Sequence, residues 1–426
     1  MKMRQGSPLR VSMTFGPDRR FMVGRLALER GISVLEYDPA FIASGLSLNP
    51  LLETPARGLI TPRAPRDFDG LPGFIADSLP DAWGELLIKR RAALADVAYP
   101  SLTALDKLAI VGKRAMGALT YEPAAFDEGG ADALDLDALA SQALEIVEGH
   151  ASYMLPLLER LGGSSGGARP KVLIALDEAR NVIADGAGEI PPGFDAWLVK
   201  FRSSRHDFED VGPLEAAYAD MARAAGLEVA ETRVFSGSGT YGYFGTKRFD
   251  RVNGERLHVL TTSGMLDTRW DVPTIDYDDL MKVARRVVGS HDAAERIFQR
   301  MVFNVVAHNR DDHAKQHAFI MNERGDWETA PTYDLTYSRG PGGEHYLAIG
   351  GRAGDDITLK SVTTLGRKHG ISMSRCTEIV KRTLDAVSDF KRFSEPYGLS
   401  RKTFAEVDEA LKADLQRLGA RTIQGA

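Results

Sequence analysis

Cysteine is almost missing from these 426 residues: Cys376 stands alone. An intramolecular disulfide and a cysteine-rich zinc site are therefore excluded. Cys376 falls among apolar helical positions and reads as a small buried filler. No apolar run approaches the roughly 20 residues a membrane helix needs. The N-terminus has no signal-peptide core, so a cytoplasmic protein is expected. Positive charge is lacking too. The net charge of −6 gives no global argument for nucleic-acid binding, and any DNA contact would have to be a local basic patch. No repeat at solenoid spacing is visible. What remains, 43% hydrophobic and 26% charged, is the composition of an ordinary globular protein. Its length predicts two or three packed subdomains.

What is present in quantity is polar chemistry at one place. Residues 308–320 read His-Asn-Arg-Asp-Asp-His-Ala-Lys-Gln-His-Ala-Phe-Ile. The run before them, Arg296 to Val306, is apolar at helical spacing through Ile297, Met301 and Val305. After them, Ala318 to Met321 and Trp327 to Ala330 predict a hairpin that delivers Thr332-Tyr333-Asp334-Leu335. Charges packed beside apolar elements are costly unless they bind something, which marks the cluster as a site. A protein-kinase catalytic loop places a base Asp, a metal-binding Asn five residues on, and a second metal-binding Asp beyond a hairpin. Here Asp311, Gln316 and Asp334 fall at those intervals. A base would take the attacking hydroxyl's proton while hard oxygens hold magnesium against phosphates. Lys315 or His313 would offset charge on the transferring group.

A second feature lies upstream. Gly162-Gly163-Ser164-Ser165-Gly166-Gly167-Ala168-Arg169-Pro170-Lys171 precedes a strand, Val172 to Leu176. Glycines let backbone amides turn inward around phosphate oxygens, although Gly-Ser runs are also flexible linkers. It is not a Walker A loop, since no Gly-Lys-Ser/Thr follows and a strand comes next. A second strand at Asn181 to Asp185 and a third at Ala196 to Phe201, carrying Lys200, reproduce the kinase order of loop, hairpin and strand lysine. The helix Leu214 to Ala225 follows, with Glu215 expected in its first turn. Two readings of Glu215 stand: partner of Lys200, or carboxylate at a helix N-terminus.

Asn309-Arg310-Asp311-Asp312-His313-Ala314-Lys315 followed by Thr332-Tyr333-Asp334-Leu335 closely resembles the HipA toxins, serine/threonine kinases of bacterial toxin–antitoxin modules. Asp77-Ser78-Leu79-Pro80-Asp81-Ala82-Trp83-Gly84 and Gly117-Ala118-Leu119 resemble that family's N-terminal subdomain. The resemblance implies an α+β, two-lobed kinase with antiparallel sheets in the N-terminal α/β part and a mainly helical C-terminal lobe. Boundaries are expected at 1–123 for the N-terminal subdomain, 138–253 for the nucleotide lobe and 254–426 for the catalytic lobe. It implies ATP and Mg2+ as cofactors. It makes Asp311 the base, sets His313 to Gln316 around the phosphates, puts Gln316 and Asp334 on magnesium, and places Tyr333 beside the nucleotide. Gly166, Gly167, Ala168, Arg169 and Lys171 fall on the nucleotide-binding loop, and Lys200 on the ATP lysine. Ser164 matches a serine that autophosphorylates, with Ser165 a neighbouring candidate. Lys247, Arg248 and Phe249 fall on the hinge, where backbone groups would read adenine. The family's metal-binding Asn is Gln316 here, which keeps the carbonyl oxygen but adds a methylene.

Implied partners are a HipB-like helix-turn-helix antitoxin, operator DNA through that complex, and a protein substrate that the family makes an aminoacyl-tRNA synthetase. Arg367 and Lys368 lie near the region that contacts DNA backbone in the family; read alone, they are a solvated helix end. Two readings compete with the active kinase. One is a corepressor subunit that has lost catalysis, favoured by Gln316. The other takes His308, Asp312, His313 and His317 as transition-metal ligands, at a spacing that fits no standard zinc motif.

Overall fold

The computed structural model describes residues 7–125, 133–162, 167–179, 181–204, 207–238 and 241–423. Ser164, Ser165 and Gly166 lie outside these, as do parts of the acidic stretch 124–137 expected to be a linker. Among the described residues, four antiparallel sheets, one of them only the two-stranded Arg251–Val252 and Glu255–Arg256 pair, and a helical C-terminal half make an α+β fold.

The first sheet has five strands, in the order Leu59–Ile60, Ile32–Tyr37, Arg19–Glu29, Leu9–Gly16, Leu119–Glu122. Its inward residues Val11, Met13, Val23, Leu26 and Leu35 are buried and belong to one core with Tyr277, Met301 and Phe303 of the C-terminal helices. The N-terminal part therefore shares an interior with the helical C-terminal half. The second sheet, also five-stranded, runs Val182–Asp185, Lys171–Asp177, Asp195–Lys200, Tyr243–Lys247, Thr232–Phe235. Lys171–Asp177 is buried along its whole length, and its core joins Trp83 and Leu87 from the Ala82–Leu94 helix to Leu158 and Leu161 from the Leu155–Gly162 helix. A third sheet of three strands, His258–Thr261, Ala318–Met321 and Trp327–Thr329, carries the hairpin that the sequence predicted.

One helix boundary corrects the sequence reading. The helix expected from Leu214 begins at Val211, because Pro213 near the start of a helix gives up only an N–H that has no intrahelical partner. Further on, the helices Met373–Ser388 and Phe390–Ser394 meet at Asp389. Among the described residues no helix is long and apolar enough to cross a membrane.

A buried charge knot fastens the second sheet to the N-terminal part. Arg248 donates twice to Asp250, at 2.9 and 2.8 Å, and Arg251 donates to it at 2.7 Å. The Gly117 amide donates to the same carboxylate at 2.7 Å, and Arg251 reaches the carbonyls of Gly117 and Ala115 at 3.0 and 3.1 Å. Burial alone would raise the Asp250 pKa; the two guanidiniums outweigh it and hold the carboxylate well below its usual range. Removing one partner of such a group strands buried charge at about 3–5 kcal/mol. Asp250→Ala is expected to destabilise the protein by that amount, read as a lowered denaturant midpoint; an unmoved midpoint would show that the knot holds nothing.

Candidate functional site

The site begins where the His291–Val306 helix stops. Its second half is buried, and His308 ends it by turning left-handed, at φ 51°. The Asn309 amide N–H then returns to the Asn304 carbonyl at 3.0 Å, and the side chains of the two asparagines bond at 2.9 Å. From this anchored corner the next two side chains diverge, as neighbours on extended chain do. Asp311 opens to the cleft with 48% of its side chain exposed. Asp312 turns into the interior, where it accepts from the Tyr277 hydroxyl at 2.8 Å, His345 at 3.0 Å and the Tyr346 amide at 2.9 Å. Asn304 donates to Tyr277 at 2.9 Å, which closes the network. Of the two adjacent acids, one is presented and the other anchors the loop.

Burial first, and then the charges of Asp334 and Asp312, push the Asp311 pKa up to about 6. His313 Nε2 lies 3.8 Å from Asp311. Burial pulls the His313 pKa down to about 4, so the ring is neutral at pH 7.

Three widely separated segments meet at Lys200. Its ammonium bonds Glu215 at 2.5 Å and also Asp334. Asp334 sits in the left-handed region at φ 57°, a conformation that an aspartate tolerates at a cost of about 1–2 kcal/mol. Burial opposes its ionisation, but Lys200, and then the Gln316 amide donating at 2.8 Å, hold it well below the carboxylate range. Glu215, being fully buried and paired, is no helix-end carboxylate in contact with water. It lies a turn deeper in its helix than expected, and Arg169 from the glycine loop approaches it at 3.5 Å.

Gly167 has φ 101°, which favours glycine, and a Cβ there would meet Lys171 Nζ at 3.3 Å and Asp334 at 4.0 Å. Lys171 is itself buried: it donates to the Gly167 carbonyl at 3.0 Å and to Asp81 at 2.8 Å. Asp81 caps the Ala82–Leu94 helix through the Gly84 amide at 2.7 Å, and Trp83 donates to the Lys171 carbonyl at 3.0 Å. Sequence reasoning treated Asp81 and Trp83 as helix start and core, and missed this role. The available signal was the density of polar residues in Asp77 to Gly84; Asp77, half-buried, accepts from Thr261 at 2.7 and 2.9 Å.

Other expected residues do not converge. The hinge reading needs correction: the Lys247 amide is spent on Glu231 and the Arg248 amide on Ala196, both at 2.8 Å, because the sheet continues through them. The Arg248 side chain is committed to Asp250. Phe249 does reach the site, stacking on Tyr333 with centroids 5.8 Å apart, and the Tyr333 hydroxyl donates to the Lys315 carbonyl at 2.5 Å. The set His308, Asp312, His313 and His317 is dispersed. His308 bonds Asp414 at 2.7 Å, Asp312 faces Tyr277, and His317 is buried with its ring edge-on to Tyr277. Among the described residues only Glu145, Glu148 and His150 lie close enough to share a metal. Arg367 and Lys368 are exposed at the end of the Leu359–Lys368 helix, but Lys368 is paired with Asp278 at 2.9 Å, and so is His369 at 2.8 Å.

With this geometry in hand, comparison with known proteins decides the family. The family model "HipA-like C-terminal domain" matches residues 163–390, and "HipA N-terminal domain" matches residues 19–122. The chain belongs to the HipA family. A search of the curated proteins finds no match. Among solved structures, this HipA-family chain superposes on one titled as the Shewanella oneidensis MR-1 toxin–antitoxin system HipA, HipB and its operator DNA complex. That match has a TM-score of 0.69 and 17% identity, over 96% of this chain and 97% of that one. The HipA fold is thus shared at low identity. The Helicobacter pylori proinflammatory kinase CtkA is also matched, with a TM-score of 0.36, 12% identity, and 55% and 90% of the two chains covered. At that score it carries no weight.

Lys200→Met removes the cation between Glu215 and Asp334. The variant is expected to lose about 3–5 kcal/mol, with the loss largest near pH 8. Without Lys200 the two carboxyls face each other and their folded pKa values rise above the unfolded ones, so the deficit shrinks as pH falls and they take up protons. A deficit that is independent of pH in denaturant titrations would contradict the bridge.

Proposed function

We propose that the chain is an ATP-dependent serine/threonine protein kinase acting as the toxin of a toxin–antitoxin module. The observation that carries this reading is the Lys200 bridge, which brings a strand lysine, a helix glutamate and the post-hairpin Asp334 to one point beside a glycine loop. That convergence is what a nucleotide triphosphate site needs.

Each residue then has a task. Lys200, fixed by Glu215, and Lys171, fixed by Asp81, supply positive charge to phosphate oxygens, with the Gly167–Lys171 loop as their backbone cradle. Asp311 accepts the proton of the acceptor hydroxyl; a carboxylate tuned to about 6 is a stronger base than an ordinary one and is still ionised at pH 7. His313, neutral and held 3.8 Å from Asp311, orients that carboxylate without competing for its charge. Lys315 offsets charge on the transferring group. Asp334 and Gln316 could supply a magnesium ion with one carboxylate and one amide oxygen, both hard donors; the Gln316 Nε2 donates to Asp334 at 2.8 Å. Magnesium, when bound, would neutralise phosphate charge. Gln316 would offer Oε1 only by turning its amide, since its NH2 now faces Asp334. That closure favours a second reading, a catalytically weak corepressor subunit.

The superposition on a HipA from a complex with HipB and operator DNA supports a helix-turn-helix antitoxin partner, with DNA contacted through the assembly. Arg367 suits a backbone contact better than Lys368, which Asp278 already holds. By family resemblance the target is an aminoacyl-tRNA synthetase and the outcome is growth arrest. Ser164 or Ser165, once phosphorylated, would repel the triphosphate with about two negative charges.

Transfer of label from radioactive ATP to protein tests the reading. Wild type is expected to label protein, with a rate that rises as pH increases through about 6, since the base works deprotonated. Asp311→Asn is expected to lose about 10²–10⁴-fold. No label from wild type at any pH would leave only the corepressor reading. A gain in Gln316→Asn would locate its weakness in the metal pair.

A further inference from the structure

Next to Asp311 the surface holds a group that phosphoryl transfer does not use. Trp270 is 41% exposed and Val272 is equally so. The Trp270 ring lies 4.8 Å from that of His313, tilted by 51°. The other neighbour of His313 is Tyr346, edge-on at 5.5 Å. The same histidine stands 3.8 Å from the Asp311 carboxylate. An open tryptophan and a tyrosine therefore flank the histidine that stands beside the carboxylate that would receive an acceptor hydroxyl.

The loop that displays them is tied down. Thr268 and Thr274 share a hydroxyl contact at 2.5 Å, and Arg269 clasps Asp271 at 2.8 and 2.5 Å. Ser263 donates to the Thr268 carbonyl at 2.6 Å, and the Thr274 amide to Val272 at 2.8 Å. A braced loop that leaves Trp270 and Val272 uncovered gives up apolar burial that a partner recovers. Tryptophan is also the side chain most often found anchoring an interface. On the nucleotide side, Asp311 is flanked by Asp334, whose charge it feels. The acceptor must come from the other side, past His313, Trp270 and Tyr346.

The geometry points to Trp270 and Tyr346 as the platform that docks the substrate protein's acceptor segment, an extended Ser/Thr peptide bearing an apolar side chain near the hydroxyl. Trp270 is linked to Asp311 through His313, 4.8 Å from the one and 3.8 Å from the other, a reach of roughly two to three residues at about 3.3 Å each. This rests on the kinase reading and goes beyond it, because it names a specificity-determining surface.

The test uses the full chain with magnesium, ATP and arrayed Ser/Thr peptide pools. Each pool fixes one residue type at one position flanking the acceptor, and ATP hydrolysis is measured in the same reactions. Wild type is expected to favour pools with Leu, Phe or Trp two or three positions away. Trp270→Ala is expected to reduce that preference about tenfold through KM rather than kcat, and Trp270→Phe to keep most of it. The preference is a ratio within one enzyme, so partial loss of fold cancels. Leu59→Ala, on the edge strand of the N-terminal sheet and 69% exposed, serves as control and is expected to leave the ratio unchanged. Pools labelled without apolar preference, or a preference that survives Trp270→Ala, overturns the platform. Hydrolysis with no pool labelled also overturns it while phosphoryl chemistry stands. Neither hydrolysis nor labelling overturns the kinase reading and the platform with it.

Discussion

The architecture of the site depends on one partly buried cation. Lys200 lies between Glu215 and Asp334, and the deeply buried Glu215 carboxylate would not be tolerable without the ammonium. The three residues come from a strand, a helix and a left-handed turn after a hairpin, so their meeting fixes how the two halves sit across the cleft. Asp334 also accepts from Gln316, so both carboxylate oxygens are engaged. The arrangement is compact, charged and dry on one side. A polyanion with a divalent cation is the ligand that would replace its internal pairing with better-matched charge.

A second cation repeats the pattern one layer out. Lys171 is buried against Asp81, which belongs to the N-terminal part and also caps a helix there. Trp83 holds the backbone of the same lysine. The glycine loop is therefore supported from outside its own sheet, and the Asp250 knot fastens the far end of that sheet to Gly117. The N-terminal sheet thus acts on the site through two charged contacts as well as through the shared core.

How much of this was legible in the sequence varied with range. The Tyr277–Val288 helix was readable to the residue, because Asp276 caps it, Gly289 ends it and its apolar positions recur at helical spacing. The Ala318–Met321 strand and its return were equally plain, being short apolar runs about a turn. The candidate trio was legible as well, through spacing that matched a known chemistry, and Lys200 and Asp334 do converge. What escaped depended on long-range pairing. Nothing local in Asp81 announces a lysine 90 positions on. Which amides of 247–249 stay free is set by strand register, and pairing with Asp195–Lys200 and Glu231 uses two of them. The partners that bury Asp312, Tyr277 and His345, lie more than thirty residues away on either side.

A crystal structure of the chain with magnesium and a non-hydrolysable ATP analogue tests the central claim most directly. The account predicts phosphates between the Gly167–Lys171 loop and Lys200, with the metal on Asp334 and the Gln316 carbonyl oxygen. A nucleotide bound elsewhere, with Lys200 still closed on Asp334, would contradict it.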